Sequence, residues 1–316
     1  MNWRELTGDF YCVDVGSRGG FDELRTLRPS LHVYSLDADP AAPLASEEFA
    51  SFHHFSLALH SSRGERDFFL TTHPSFSSLL EFDAQAFIRH FGLMAGSAKW
   101  ARGLESQRKE TTKTETADNF LRSQNVEHID FLKLDTQGTE LEILKGASEY
   151  LGDARIAVIK TEVSFVPVYR NQCTFSDIDH FLKQQGFLFV DCAFYPDAIA
   201  AERGAPAIDD VNLREQVRFT AGGDAFYVLH PDRYKGDDRT GSAIRSAVVL
   251  NQLGYVSVAL DLLKNALLPP DQIEALLRAT APVDIKPRWK RALRNNLPPS
   301  AYNALRRLRR RLRTGA

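Results

Sequence analysis

Short unbroken apolar runs alternate along the chain with longer stretches whose apolar residues recur at helical spacing. Phe10–Asp14 and Val33–Leu36 have the length and composition of buried strands, and Phe52–Leu59 reads as a third. Phe21–Leu27 is the helix predicted between the first two. Arg66–Leu70 predicts a short accessory strand ahead of the turn Ser75–Ser78, and residues 84–116 are polar and helix-capable, a lid in character. The pattern sharpens at Ile129–Asp135, a strand closed by a carboxylate. Helical spacing of Leu141, Leu144, Ala147 and Leu151 follows over Thr139–Tyr150. Ile156–Ile159 is the next strand, ending near Glu162. Asp177–Gln185 is a helix, and Phe187–Val190 and Ala225–Leu229 close the series. Beyond Pro231, Ser242–Leu253, Val256–Leu267 and Asp271–Arg278 read as helices, the last started by Pro269 and Pro270.

Strands alternating with helices imply an α/β fold, a mostly parallel sheet with helices on both faces. The expected division is a domain over residues 1–230 and a helical extension over 231–316. Ligands of such sheets bind at the carboxyl ends of the strands, where the strand order reverses. Asp14, Asp37, Asp135 and Glu162 all fall at predicted strand ends.

The chemistry concentrates after the first strand. Asp14-Val15-Gly16-Ser17-Arg18-Gly19-Gly20 is a glycine-rich loop whose bare backbone lets a ligand approach closely. Asp37 lies about 20 residues beyond, where nucleotide-binding α/β domains grip ribose hydroxyls. Gly16, Ser17, Gly19 and Gly20 are therefore candidate cofactor contacts through their backbone. Asp14 either fixes the loop or meets the amino end of the cofactor, and Asp37 is the candidate for its diol. Asp135 ranks first for active-site placement, contacting the cofactor or orienting an acceptor, with a helix cap as its structural alternative. Glu162 is the second candidate base, with an ion pair to Lys160 or Arg170 as its alternative. Glu140 either serves the helix dipole or faces the cleft. His60 follows the third strand at the edge of this pocket. Lys133, unusual inside an apolar strand, is read as a structural ion-pair partner.

Charge changes the picture at the C-terminus. Residues 285–316 hold eleven Lys/Arg and no Asp/Glu, so the other 284 residues carry −13 against an overall −2. An acidic body argues against a whole-protein nucleic-acid binder. In the tail, Tyr302, Leu305, Leu308 and Leu312 recur at helical spacing among six arginines. That is a cationic amphipathic helix suited to an anionic membrane surface, or else a solvated terminus. Three scattered cysteines, Cys12, Cys173 and Cys192, form no disulfide framework or zinc pattern. His53, His54, His60 and His73 lack metal-ligand spacing, so no metal is expected. Absence of a long apolar run places the protein in the cytoplasm, peripheral to a membrane at most.

The segment Asp130-Phe131-Leu132-Lys133-Leu134-Asp135-Thr136-Gln137-Gly138-Thr139-Glu140 and its continuation to Ala147, with Lys160–Phe165, resembles the FkbM-type family of S-adenosylmethionine-dependent methyltransferases over roughly residues 10–195. The resemblance implies a class I (Rossmann-like) methyltransferase fold and S-adenosylmethionine as cofactor. It also implies methyl transfer to a hydroxyl of a carbohydrate, glycolipid or secondary metabolite. The family commonly has Glu at the position of Gln137 and Glu-Pro at that of Asp37-Ala38. Asp37 keeps a diol-binding carboxylate, whereas Gln137 removes one candidate base. Two rivals remain at this point. A nicotinamide-dependent oxidoreductase is disfavoured by the absence of Gly-x-Gly-x-x-Gly and of a Tyr-x-x-x-Lys dyad. A non-catalytic, membrane-recruited scaffold is kept open by Gln137.

Overall fold

The structure, a computed structural model, describes residues 3–18, 21, 23–39, 49–91, 97–194, 221–234 and 239–282. Gly19, Gly20 and the basic tail lie outside the described residues. Seven strands form the main sheet: β1 (Phe10–Val15), β2 (Leu31–Asp37), β3 (Ser51–Ser56), β7 (Ile129–Leu134), β8 (Ile156–Ser164), β9 (Phe187–Phe194) and β10 (Gly222–Leu229). Their spatial order is β3-β2-β1-β7-β8-β10-β9. The first five pair in parallel, and β10 runs antiparallel to both β8 and β9. All six residues of β7 are buried, as a parallel strand covered on both faces requires.

Successive residues of the central strands face opposite layers. Val13, Val15, Leu132 and Leu134 share a core with Ile143 and Leu144 of α5 (Glu140–Lys145) and with Ile178 and Leu182 of α7 (Phe175–Gln184). Phe10, Cys12, Phe131 and Val158 share the other core with α8 (Arg239–Gln252), α9 (Val256–Asn265) and α10 (Pro270–Ala279). An ion pair pins this second layer. Arg245 Nε of α8 donates to Asp130 Oδ1 at 2.9 Å, and Asp130 Oδ2 accepts the Tyr11 amide at 2.9 Å.

Several expectations are corrected. The predicted helix Phe21–Leu27 is replaced by a 3-10 helix over Arg25–Ser30. Leu24 enters it with a left-handed backbone, and Pro29 inside it has no N–H to donate to an α-helical ladder. The expected single strand Phe52–Leu59 breaks at Leu57, whose amide turns to Asp37 O at 3.1 Å. The continuation, β4 (Ala58–Leu59), joins β5 (Gly64–Thr71) and β6 (Ser106–Glu115) in a second, three-stranded sheet of order β4-β6-β5. The region 84–116 thus holds helices α2 (Ala84–Phe91) and α3 (Ser97–Leu104) and then a ten-residue strand, rather than a polar lid alone. The helix expected over Thr139–Tyr150 is two short helices, α5 and α6 (Ser148–Gly152). The break sits at Gly146, where a Cβ would stand 2.2 Å from His60 O.

Candidate active site

The strand order reverses between β1 and β7: the chain goes from β1 outward through β2 and β3 on one side, and resumes with β7 and β8 on the other. A cleft of about 180 Å³ opens at the carboxyl ends of these strands, where such sheets bind ligands. Gly16, Asp37, Lys133, Asp135 and Gln137 line it, with Leu36, Leu57, Leu59 and Phe68 as apolar wall and Ser77 and Ser78 from the turn across it.

Gly16 is the knot that holds three strand ends together. Its φ is +80°, its amide donates to Leu36 O at 2.9 Å, and a Cβ there would lie 1.9 Å from Asp135 O. Only glycine satisfies both the left-handed backbone and the contact. The Ser17 hydroxyl turns inward and accepts from Ser35 Oγ at 2.6 Å, beneath the cleft rather than in it. Asp37 ends β2 with one carboxylate oxygen taking the Asp39 amide at 2.8 Å, while Asp39 holds Arg18 at 2.7 Å. Burial pushes the Asp37 carboxyl above its ordinary value, against the Asp39 amide and the Arg18 charge.

Asp14 is fully buried and does not line the cleft; its side chain reaches Lys133. Asp14 and Lys133 are register partners on adjacent strands, and Lys133 Nζ donates to Asp14 Oδ1 at 2.7 Å. Asp14 Oδ2 is buried without a hydrogen-bond partner among the described residues. Burial pushes the Asp14 carboxyl up to about 6, with Lys133 opposing. Burial also disfavours the Lys133 ammonium, but Asp14, Glu23 and Asp135 outweigh it and raise its proton affinity.

Asp135 and Glu162 are brought together by Gln137. The Gln137 amide nitrogen donates to Asp135 Oδ1 at 3.0 Å and to Glu162 Oε2 at 2.7 Å. Its backbone is left-handed, with φ 58°, and its carbonyl accepts from Ser78 Oγ at 2.9 Å. Burial, then the charges of Asp135, Glu140 and Asp224, hold the Glu162 carboxyl well above the ordinary carboxylate range, against the Gln137 hydrogen bond. The ion pairs considered for Glu162 are made elsewhere: Lys160 binds Glu23 at 2.8 Å, and Arg170 binds Glu81 at 2.8 Å.

Asp135 does not cap α5. Glu140 ties that turn instead, accepting the Thr136 amide at 2.8 Å and the Gly138 amide at 3.0 Å, and it is buried rather than cleft-facing. His60 also lies off the cleft lining, against Ser61 and Glu142. Sequence reasoning missed Lys133 and Gln137 as members of the site. The signal for Lys133 was a lone cation in an apolar strand, which becomes informative once β1 and β7 are paired and Asp14 falls beside it.

The Methyltransferase FkbM domain matches residues 14–189, more than half of the chain, from the carboxyl end of β1 to the start of β9. The chain belongs to the FkbM methyltransferase family. It is similar to the 2-O-methyltransferase NoeI of Sinorhizobium fredii (strain NBRC 101917 / NGR234), with 27% identity over 172 residues, 52% of this chain and 67% of that protein. This FkbM protein is therefore a methyltransferase, and its reaction requires a methyl donor. Among the described residues, no group of three or more His, Cys, Asp or Glu is placed to hold a metal, and no helix is long and apolar enough to cross a membrane.

Proposed function

We propose that this FkbM methyltransferase is an S-adenosylmethionine-dependent O-methyltransferase acting on a hydroxyl of a carbohydrate, glycolipid or secondary metabolite. The observation that carries the reading is the convergence of Asp37, Gly16 and Asp135, from three different strands, on one cleft at the reversal of strand order. A seven-stranded sheet with parallel β1, β2, β3, β7 and β8 and an antiparallel β10 supports the class I (Rossmann-like) assignment. That the Sinorhizobium relative is a 2-O-methyltransferase supports oxygen as the acceptor atom.

The residues suit that donor. Asp37 offers a carboxylate at the end of β2 for a ribose diol, Leu57, Leu59 and Phe68 offer an apolar wall for a nucleobase, and Gly16 offers bare backbone between them. Bound S-adenosylmethionine supplies a methyl carbon already activated by a positively charged sulfur. The protein's part is to align the acceptor oxygen and to receive its proton. Asp135 lines the cleft and is the carboxylate that meets the acceptor hydroxyl. Glu162, one amide group behind it, adds negative charge that strengthens the proton affinity of the pair. Ser17 and Asp14 support the donor loop from below, and Gly19 and Gly20, which follow in the sequence, are its further candidate backbone contacts.

The methyltransferase unit is assigned to residues 1–230, with 231–316 as a helical extension. The pattern of leucines and arginines in the tail supports peripheral attachment to an anionic, inner membrane face. The test of the whole reading is a calorimetric titration with S-adenosylhomocysteine, followed by detection of that product on incubation with S-adenosylmethionine and a panel of hydroxyl acceptors. Asp135→Asn is expected to cut turnover at least tenfold while donor affinity stays within about threefold. Absence of S-adenosylhomocysteine binding to the parent protein would refute the donor. Loss of affinity as large as the loss of turnover would remove Asp135 from the chemistry.

A further inference from the structure

Lys133 remains unexplained by the roles above. It is an ammonium in a strand whose six residues are all buried, and it lines the cleft beside Gly16 and Asp135. One of its three N–H groups is donated to Asp14. No other acceptor lies within hydrogen-bond distance of Nζ among the described residues, so two donors are left. The partner is equally incomplete, because among the described residues Asp14 Oδ2 is buried with nothing to accept from.

A buried ion pair is replaceable by apolar residues of similar size at little or no cost to stability, and buried polar groups are ordinarily satisfied. Glu23 and Asp135 act on Lys133 only through longer-range charge, so an ammonium with unused donors at the wall of a cleft points to a further ionic partner in direct contact. The sign of that partner follows from what is accessible. Asp14 is sealed at 0% exposure, whereas the Lys133 side chain is 11% exposed. The accessible member is the cation, and its partner is an anion. The other cation of the lining, Arg18, is held by Asp39 at 2.7 Å.

We infer that Lys133 binds the α-carboxylate at the amino-acid end of the methyl donor. This rests on the donor proposed above and adds to it a residue and a polarity. Asp37 and Lys133 stand on β2 and β7, with β1 between them. Neighbouring strands lie about 4.8 Å apart, so two strands across is roughly 10 Å. That separation suits a ligand with its sugar at Asp37 and its charged tail at Lys133. The cleft thereby has a nucleoside end and an amino-acid end, with Asp135 beside the latter.

The experiment compares two ligands on the full chain by calorimetry. S-adenosylhomocysteine carries the carboxylate, and 5′-methylthioadenosine is the same nucleoside without the amino-acid group. Lys133→Met is expected to weaken S-adenosylhomocysteine about 10- to 100-fold, the scale of a lost charge-assisted hydrogen bond. Methylthioadenosine affinity is expected to stay within about twofold. Lys133→Arg, which keeps the charge, is expected to recover most of the difference. Where Lys133→Met does not fold because Asp14 is left unpaired, the double variant Lys133→Met/Asp14→Asn removes both charges and carries the same expectation. Equal losses for the two ligands, or no loss for either, overturn the inference. Failure of the parent protein to bind S-adenosylhomocysteine at all overturns the donor itself, a separate outcome read before any variant is made.

Discussion

Replacing Gln137 with Met keeps the length and flexibility of the side chain and removes its amide. Two hydrogen bonds to carboxylates disappear, the 2.7 Å contact to Glu162 and the 3.0 Å contact to Asp135. A hydrogen bond to a charged group contributes about 1.5–3 kcal/mol, and the shorter contact, to Glu162, carries most of the effect. The loss depends on pH. In the folded protein, Glu162 holds its proton to higher pH than an ordinary carboxyl, through burial first and the neighbouring charges second. The folded state therefore binds more protons than the unfolded chain across the window above the ordinary carboxylate range, and stability falls as pH rises through it. Without the amide, the ionised form of Glu162 loses its donor and the fall becomes steeper. The expected deficit of the variant is small near pH 4 and grows by about 1.5–3 kcal/mol toward pH 9. Urea unfolding at half-unit pH steps measures it. Asp14, pushed up to about 6, titrates in both proteins and cancels in the difference. The left-handed backbone at this position is common to both side chains and cancels as well. A difference that stays flat from pH 4 to 9 would show that the amide does not govern the charge of this pair.

Asp37→Ala is expected to weaken S-adenosylhomocysteine about 10- to 100-fold by calorimetry with little change in urea midpoint; unchanged affinity would move the sugar end of the ligand elsewhere. Gly16→Ala meets both a left-handed backbone, which costs about 1–2 kcal/mol for a residue with a Cβ, and a backbone oxygen 1.9 Å from the new methyl. A stability loss of at least about 2 kcal/mol is expected, read as a lower urea midpoint, and a midpoint equal to the parent's would contradict the packing described for this loop.

What was legible in the sequence follows from how strongly each segment is buried. β1, β2, β7 and the first half of β8 are buried almost throughout, so their composition is mostly apolar, and each appears in the sequence within a few residues of its place. Asp37 and Asp135 were legible because they interrupt such runs at their ends, and both line the cleft. β6 was not legible. Its sequence, Ser106–Glu115, carries no hydrophobic residue, and its strand conformation comes from pairing with β5, which is non-local. The glycine loop suggested a helix after it, but Pro29 and the left-handed Leu24 impose a tighter turn. Gln137 looked like a lost base because a single position shows residue type and not neighbours. Seen between Asp135 and Glu162, its amide is a donor that two carboxylates share. Glu140 was placed by its helix position and proved to bind the turn before it, which requires knowing that the turn folds back.

The attachment of α8 to the sheet through Arg245 and Asp130 bears on how the polypeptide matures during synthesis. β1 leaves the ribosome more than a hundred residues before β7, the neighbour it lies against, and more than two hundred before the helices that shelter Phe10 and Cys12. For most of translation one side of the nascent sheet is greasy and open, with Asp130 awaiting its counter-ion. Assembly from such distant segments is slow, and a truncated product ending before Arg239 would present that bare side to chaperones or to other copies of itself. Expression strategies that trim the C-terminal helices to obtain a smaller catalytic fragment are, on this architecture, expected to yield aggregates.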